Sequence, residues 1–120
     1  MADTPPFLLH MMELLVLRFR GAINVESGAA DWVLLLPESA VMFEWKHNTT
    51  RFIVASGARW RVAVDFFLQN PHSVHVCVEA DGPPQDSFEH TYTFRCPIRF
   101  ESFVHGELAS LVGAQHAAAA

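Results

Sequence analysis

One predicted strand carries an imidazole, a thiol and a carboxylate on a single face. His75, Cys77 and Glu79 alternate with apolar residues in residues 73–80, and side chains two residues apart on a strand point to the same side. An imidazole beside a thiol is the combination that cysteine nucleophiles use. No recognised catalytic frame surrounds these residues, and polar rows with cross-strand ion pairs are common on half-exposed sheets. The sequence therefore favours a non-catalytic face and leaves a small enzyme on this face as an alternative.

Arginine is the other residue type that could bind a ligand. The chain has seven arginines and one lysine, and every one of these eight lies in a segment that we predict to be a strand. A guanidinium binds carboxylate or phosphate through two parallel hydrogen bonds. We therefore expect an arginine-bearing sheet face that binds an acidic or phosphorylated partner, and the alternative is that acidic residues neutralise the arginines across strands. The candidate binding residues are Arg18, Arg20, Arg59, Arg61, Arg95, Arg99 and His75.

Metal ligands and phosphate loops are not indicated by the residue spacing. Among seven histidines, His72 and His75 form the only close pair, and residues three apart on a strand point to opposite faces. No second pair or cysteine cluster completes a zinc site. The glycines are isolated rather than grouped in a phosphate-binding loop. We predict no catalytic residues, no metal and no cofactor.

Alternating apolar residues predict most of the elements that position these side chains. Residues 59–66 place Trp60, Val62, Val64 and Phe66 on one face, and five or six further short strands are separated by tight turns. After Pro97 the spacing becomes helical, with Ser102 as N-cap and Gly113 as the end. The predicted fold is α+β, mainly an antiparallel sheet of six or seven strands in a roll or sandwich, with one C-terminal amphipathic helix packed on it.

The ends of the chain and its domain limits follow from the same pattern. We expect a disordered lead over residues 1–6, one globular domain over 7–113 and an Ala-rich tail over 114–120. From residue 14 onward we favour a strand, although a helix over residues 8–19 also fits the apolar spacing.

The two cysteines predict a reducing compartment. A hairpin of residues 73–80 and 90–96 that pairs Val74 with Cys96 and Val76 with Phe94 places Cys77 on the opposite face from Cys96, so the two thiols cannot meet. Free thiols, together with the lack of a signal peptide, predict a cytoplasmic or nuclear protein.

Composition limits the partner classes. A net charge of −5 argues against binding nucleic acid through bulk charge. No apolar run approaches the roughly 18 residues of a membrane span. Hydrophobic residues make up 51% of the chain, with ten phenylalanines, and aromatic side chains are enriched at protein interfaces. We therefore expect a protein partner or a homo-oligomer.

The C-terminal half resembles COMM domains in the order of its elements. The residues that carry the resemblance are Trp60-Arg61-Val62, Pro71, Val74-His75-Val76 and the stretch from Phe100 to Leu111. The resemblance covers about half of the chain and implies a protein-binding module that assembles through this region. A pleckstrin-homology-like roll is similar in architecture alone, which does not fix function.

From the sequence we predict a non-catalytic protein–protein interaction domain, such as a subunit of a larger assembly. It would use the arginine-bearing face and exposed aromatic surface. The alternatives are a β-roll that binds a small molecule or phospho-ligand and, second, the small enzyme on the His75, Cys77 and Glu79 face.

Overall fold

Four long antiparallel strands organise this protein. In a computed structural model the described residues are 5–19, 24–25, 33–36, 41–44, 47–81 and 88–119. The elements are α1 (Pro6–Arg18), β1 (Asn24–Val25), β2 (Val33–Leu36), β3 (Val41–Glu44), β4 (Thr49–Ser56), β5 (Trp60–Phe67), β6 (Ser73–Ala80), β7 (Phe88–Thr93), α2 (Pro97–Phe103), a π-helical segment (Val104–Leu108) and α3 (Ala109–Ala119).

The sheet has the order β1, β4, β5, β6, β7, and each neighbouring pair is antiparallel. Strand β1 has only two residues, and β2 pairs with β3 in a separate two-stranded sheet. The α+β class and the antiparallel sheet are confirmed. The expectation of a single roll or sandwich of six or seven strands is not confirmed: within the described residues four longer strands, β4 to β7, make up the packed sheet, the two-residue β1 extends it, and β2 and β3 pair separately.

The N-terminal segment is a helix as far as Arg18, so the strand predicted from residue 14 is wrong over that part of the chain. Leu8, Met11, Met12, Leu15 and Val16 are completely buried, and their spacing matches one face of a helix. Pro6 lies in the first turn, where its missing N–H costs no hydrogen bond. The apolar run 14–17 is compatible with the spacing of a strand and with that of a helix. The contacts of α1 with the rest of the core favour the helix.

The C-terminal helix begins earlier and ends later than predicted. Its first residue is Pro97 rather than a residue after Ser102, and the helix continues past Gly113 through α3. A Cβ at Gly113 would meet nothing within 4 Å, so this exposed glycine costs only about 1 kcal/mol relative to alanine. The alanines that follow are strong helix formers, and the predicted Ala-rich tail is therefore helical as far as Ala119.

Helices cover one face of the sheet. Helix α1 packs against α2 and the π-helical segment, and one core cluster joins these helices to the sheet. The predicted apolar face of β5 is confirmed, since Val62, Val64 and Phe66 are fully buried in this core and Trp60 packs against it. The residues between them in β5 belong to the opposite face, which is called the polar face below.

Strands β6 and β7 pair in a different register from the predicted hairpin. Val74 lies opposite Tyr92 and Val76 opposite His90, a shift of four residues that preserves which side chains share a face. The shift arises because residues after Phe94 leave the strand to start α2. Phe94 then packs against Phe100 and Phe103, with ring centroids 5.2 and 5.1 Å away.

Within the described part of the chain, no helix is long and apolar enough to cross a membrane.

Candidate functional site: the polar face and the free edge of the sheet

An ion pair between neighbouring strands forms the centre of the polar face. The register places Arg51 of β4 opposite Asp65 of β5. Arg51 donates from Nε to Oδ1 of Asp65 over 2.7 Å and from Nη2 to Oδ2 over 3.1 Å. The Asp65 side chain is only 8% exposed, so this two-point contact holds a carboxylate that would otherwise be buried without a counter-charge.

His75 extends the network to the edge of the sheet. It lies opposite Asp65 on β6, and its Nδ1 is 3.0 Å from Oδ2 of that carboxylate. Its Nε2 is 2.8 Å from Oε1 of Glu89 on β7. The imidazole is therefore held between two carboxylates and links the centre of the sheet to the edge strand.

Glu79 receives two arginines on the same face. Arg61 donates from Nε to its Oε2 over 2.6 Å, and Arg51 donates from Nη1 to its Oε1 over 2.8 Å. These contacts, the one with Arg61 first, lower the pKa of Glu79 below its usual range against the opposing effect of burial. The carboxylate of Glu79 is consequently ionised at neutral pH.

Cys77 lies beneath this network and is not activated. It is 7% exposed, and burial raises the pKa of its thiol despite the attraction of Arg51. Its Sγ contacts Oε1 of Glu79 at 3.8 Å, while the ring nitrogens of His75 face carboxylates. A protonated thiol is a poor nucleophile, so the geometry gives no support to the alternative of an enzyme on this face.

The predicted arginine face is not assembled as expected. Among the described residues only Arg51 and Arg61 lie in strands; the expectation that every basic residue does so is wrong. Arg18 ends α1, where its guanidinium carbon lies 5.1 Å from the Phe19 ring centroid, and Arg59 lies in the turn before β5. Arg95 precedes α2 and Arg99 lies within it; Arg20 is outside the described residues.

Of the predicted candidates, Arg61 and His75 share the polar face. Arg51, which the sequence did not single out, lies between them in the same network. A signal was present, because in-register pairing of β4, β5 and β6 puts Arg51, Asp65 and His75 in one row. The register depends on the turns that join the strands, and the alternation of apolar and polar residues does not predict it.

Strand β7 forms the outer edge of the sheet. The N–H of Phe94 donates to the carbonyl of His72 over 2.9 Å, which fixes this pair as hydrogen-bonded. Hydrogen-bonded and non-bonded pairs alternate along an antiparallel ladder. The backbone groups of His90 and Tyr92 therefore point towards β6, and those of Glu89, Thr91 and Thr93 point away from the sheet.

Little in this strand protects its edge. Natural edge strands are usually blunted by lysine, proline or a bulge, and β7, with the sequence FEHTYT, contains none of them. Five of its six side chains are exposed, and Phe88 is 37% exposed. At the opposite end of the sheet the short strand β1 pairs with part of β4. Within the described residues no strand pairs with the outer side of β7.

An apolar recess of about 260 Å³ lies beside this edge on the helix-covered side. Its walls come from Phe88 and Tyr92 of β7 and from Phe103, Leu108 and Leu111 of the C-terminal helix. Burial and the nearby Glu107 carboxylate raise the pKa of the Tyr92 phenol, which keeps it protonated and able to donate a hydrogen bond. The recess and the free edge form one continuous candidate site.

A larger cavity of about 640 Å³ lies at the other end of β5, between the β4–β5 turn and the end of α3. Trp60 and His116 meet there edge to face, with ring centroids 5.0 Å apart. This cavity opens to solvent rather than into the core, whose fully buried side chains include Phe52 and Phe66.

No group of three or more potential metal ligands occurs among the described residues. Comparison of the chain with protein-family models, curated proteins and solved structures gives no significant match. The resemblance to COMM domains therefore carries no further argument, and a function has to be inferred from the geometry.

Proposed function

We propose that this protein is a non-catalytic protein-binding module that adds an extended segment of its partner to the free edge of β7. The observation that supports the proposal is the coincidence of an unprotected strand edge with an apolar recess beside it. In strand addition, main-chain hydrogen bonds supply affinity and pockets for alternate side chains supply specificity. Both parts are present here on described residues.

The backbone of β7 defines how a partner would bind. The outward groups of Glu89, Thr91 and Thr93 offer three N–H donors and three carbonyl acceptors to a neighbouring strand. On the polar face an added strand would lie beside the Glu89 carboxylate, whose side chain is 76% exposed. On the opposite face it would lie beside the recess.

The proposal leads to an expected sequence pattern for the partner segment. Side chains of a strand alternate between faces, so the bound segment should alternate apolar residues, which enter the recess, with polar residues. A basic residue should lie near Glu89, because the chain is acidic overall and Glu89 is the charged residue of β7. The proposal therefore predicts a short alternating segment rather than a helix.

A random peptide library displayed on phage tests this function and requires no identified partner. Selected peptides should show the alternating pattern, and Thr91→Pro should weaken their binding at least about ten-fold, because proline lacks the outward N–H and blocks an added strand. Thr91→Val is the matched control, since it keeps the N–H and a β-branched shape. Unchanged affinity for Thr91→Pro would show that the peptides bind elsewhere.

The recess can be tested separately with two exposed apolar residues. Phe88→Ser removes one wall of the recess, whereas Ile98→Ser alters a 76% exposed residue that does not line it. We expect about a ten-fold loss of peptide affinity in the first variant, since hydrophobic anchors in pockets dominate binding energy. The second variant should bind as the wild type does, and equal losses in both would contradict the role of the recess.

A further inference from the structure

Both ring nitrogens of His75 face carboxylate oxygens. Nδ1 is 3.0 Å from Oδ2 of Asp65, and Nε2 is 2.8 Å from Oε1 of Glu89. An ionised carboxylate only accepts hydrogen bonds, and a neutral imidazole carries one N–H donor whereas an imidazolium carries two. With both carboxylates ionised, the two contacts can therefore both be hydrogen bonds only when the ring is protonated.

We propose that His75 is a proton-dependent switch that decides whether the carboxylate of Glu89 is available to a basic residue of the bound segment. The protonated ring holds Glu89 against the sheet, and the neutral ring releases it to the partner. This inference rests on the proposed function and adds a means of regulating the same site. His75 is a positioning residue in this scheme, because it acts on the partner only through Glu89.

The two carboxylates differ in burial, and this difference decides which contact survives when the ring loses a proton. The Asp65 side chain is 8% exposed, whereas that of Glu89 is 76% exposed. Hydrogen bonds are electrostatically stronger in a drier environment, so the remaining proton stays on Nδ1, between the ring and Asp65. The lone pair of Nε2 then faces Oε1 of Glu89 without a proton between them, and the exposed carboxylate turns to solvent.

The charged groups around the ring set the sign of the effect. On the polar face they are the guanidinium groups of Arg51 and Arg61 and the carboxylates of Asp65, Glu79 and Glu89, with the protonated thiol of Cys77 on the same strand as the ring. With a neutral ring the carboxylates exceed the guanidinium groups by one charge, and the imidazolium cancels this excess. Within the described residues Glu89 contacts no arginine, so the excess lies at the edge strand.

A basic residue of the partner and the imidazolium consequently compete for one carboxylate. Because linkage is reciprocal, binding of a basic segment should expel the proton from His75, and a fall in pH should weaken binding. Histidine side chains change charge between about pH 5 and about pH 8, where aspartate and glutamate stay ionised. Exposed ion pairs change an equilibrium by no more than about five-fold. We therefore expect about a three- to five-fold loss of affinity from about pH 8 to about pH 5.5.

The free chain tests the switch without any partner. In carbon-detected NMR the side-chain carboxyl signal of Glu89 should shift with the same midpoint as the ring signals of His75. This step should vanish in His75→Gln, because glutamine does not titrate. His90→Gln is the matched control and should retain the step, since His90 lies on the same edge strand but on the opposite face, 4.5 Å from the Tyr92 ring. A wild-type Glu89 signal that does not respond at the His75 midpoint would overturn the switch.

Two forms of one phage-selected peptide test the effect on binding. The peptide contains no histidine or acidic residue and carries lysine or norleucine at the position beside Glu89. Calorimetry should show the three- to five-fold loss on acidification, together with proton release on binding, only for the lysine form. The loss should persist in His90→Gln and fall below about two-fold in His75→Gln. Equal pH dependence of the two forms, or a loss that persists in folded His75→Gln, would contradict the role of His75.

Failure of this inference and failure of the proposed function give different results. Peptide binding that is weakened by Thr91→Pro but is independent of pH overturns the switch and retains strand addition. Selected peptides that bind equally well to Thr91→Pro overturn the proposed function and, with it, the role of Glu89 in binding. Binding that depends on Thr91 and weakens on acidification through His75 supports both.

Discussion

Replacing Arg51 should cost far more stability than replacing Arg61, although both arginines lie on the polar face. In Arg51→Met the Asp65 carboxylate, which is 8% exposed, loses its bidentate partner and keeps the contact with His75. Removing one member of a buried ion pair typically costs about 3–5 kcal/mol. Because the Arg51 side chain is itself 26% exposed, we expect a loss of about 3 kcal/mol, at the lower end of that range.

Arg61→Met is the matched control. The Arg61 and Glu79 side chains are 39% and 44% exposed, and ion pairs between exposed groups contribute less than about 1 kcal/mol. Urea unfolding followed by circular dichroism gives both free energies, provided that the slope with denaturant is unchanged. The two variants should therefore differ by about 2 kcal/mol.

A double-mutant cycle tests whether the unpaired Asp65 carboxylate causes the larger loss of stability in Arg51→Met. When Asp65 is already replaced by leucine, position 65 carries no carboxylate that could lose its partner. Adding Arg51→Met to Asp65→Leu should therefore lower the free energy of unfolding by less than about 1 kcal/mol further. The expected coupling between the two positions is about 2 kcal/mol. Equal costs for Arg51→Met and Arg61→Met, or a coupling below about 0.5 kcal/mol, would refute the view that Asp65 is held by Arg51.

Three further outcomes follow from the structure. The raised thiol pKa and burial of Cys77 should make it react with iodoacetamide more slowly than the partly exposed Cys96, as peptide mass spectrometry would show; faster alkylation of Cys77 would contradict the assignment. The lowered pKa of Glu79 stabilises the fold above the usual glutamate pKa, and this contribution disappears as pH falls through the lowered value. The stability difference between wild type and Glu79→Gln should therefore shrink on acidification, and a constant difference from neutral to strongly acidic pH would be inconsistent with it. Gly57→Ala should destabilise the fold by about 1–3 kcal/mol, because its Cβ would lie 2.1 Å from Nε1 of Trp60; an unchanged urea midpoint would exclude this close packing.

The sequence predicted which residues of the central strands share a face. Alternation in β5 and β6 is strict, and one face is covered by helices, so the apolar rows of Val62 and Val64 and of Val74 and Val76 are specified by burial. Even the wrong β6–β7 register preserved these faces, because it was displaced by an even number of residues.

The sequence did not predict the helix at the N-terminus or the extent of the one at the C-terminus. Residues 14–17 are all apolar, so their pattern is compatible with a strand and with a helix. The contacts of this segment with α2 favour the helix α1. Pro97 suits the end of a strand, but proline is equally suited to the first turn of a helix. Local patterns cannot separate these cases, because the deciding contacts are distant in sequence.

The candidate site depended on strand order, which alternation does not encode. That β7 is an edge strand follows from the pairing of all the other strands, so its free backbone groups could not be recognised in advance. The structure does not bring the predicted arginine rows together, for a related reason. Arg18 and Arg99 lie in helices, and on the polar face Arg51 and Arg61 contact Asp65 and Glu79.

Residue-resolved amide hydrogen exchange tests the central claim most directly. In the monomer, the amides of Glu89, Thr91 and Thr93 should exchange rapidly, while those of His90 and Tyr92 should be protected by β6. When a selected peptide binds, the first three amides should become protected and the other two should change little. If Glu89, Thr91 and Thr93 still exchange rapidly in the bound state, the edge of β7 is not where this protein binds its partner.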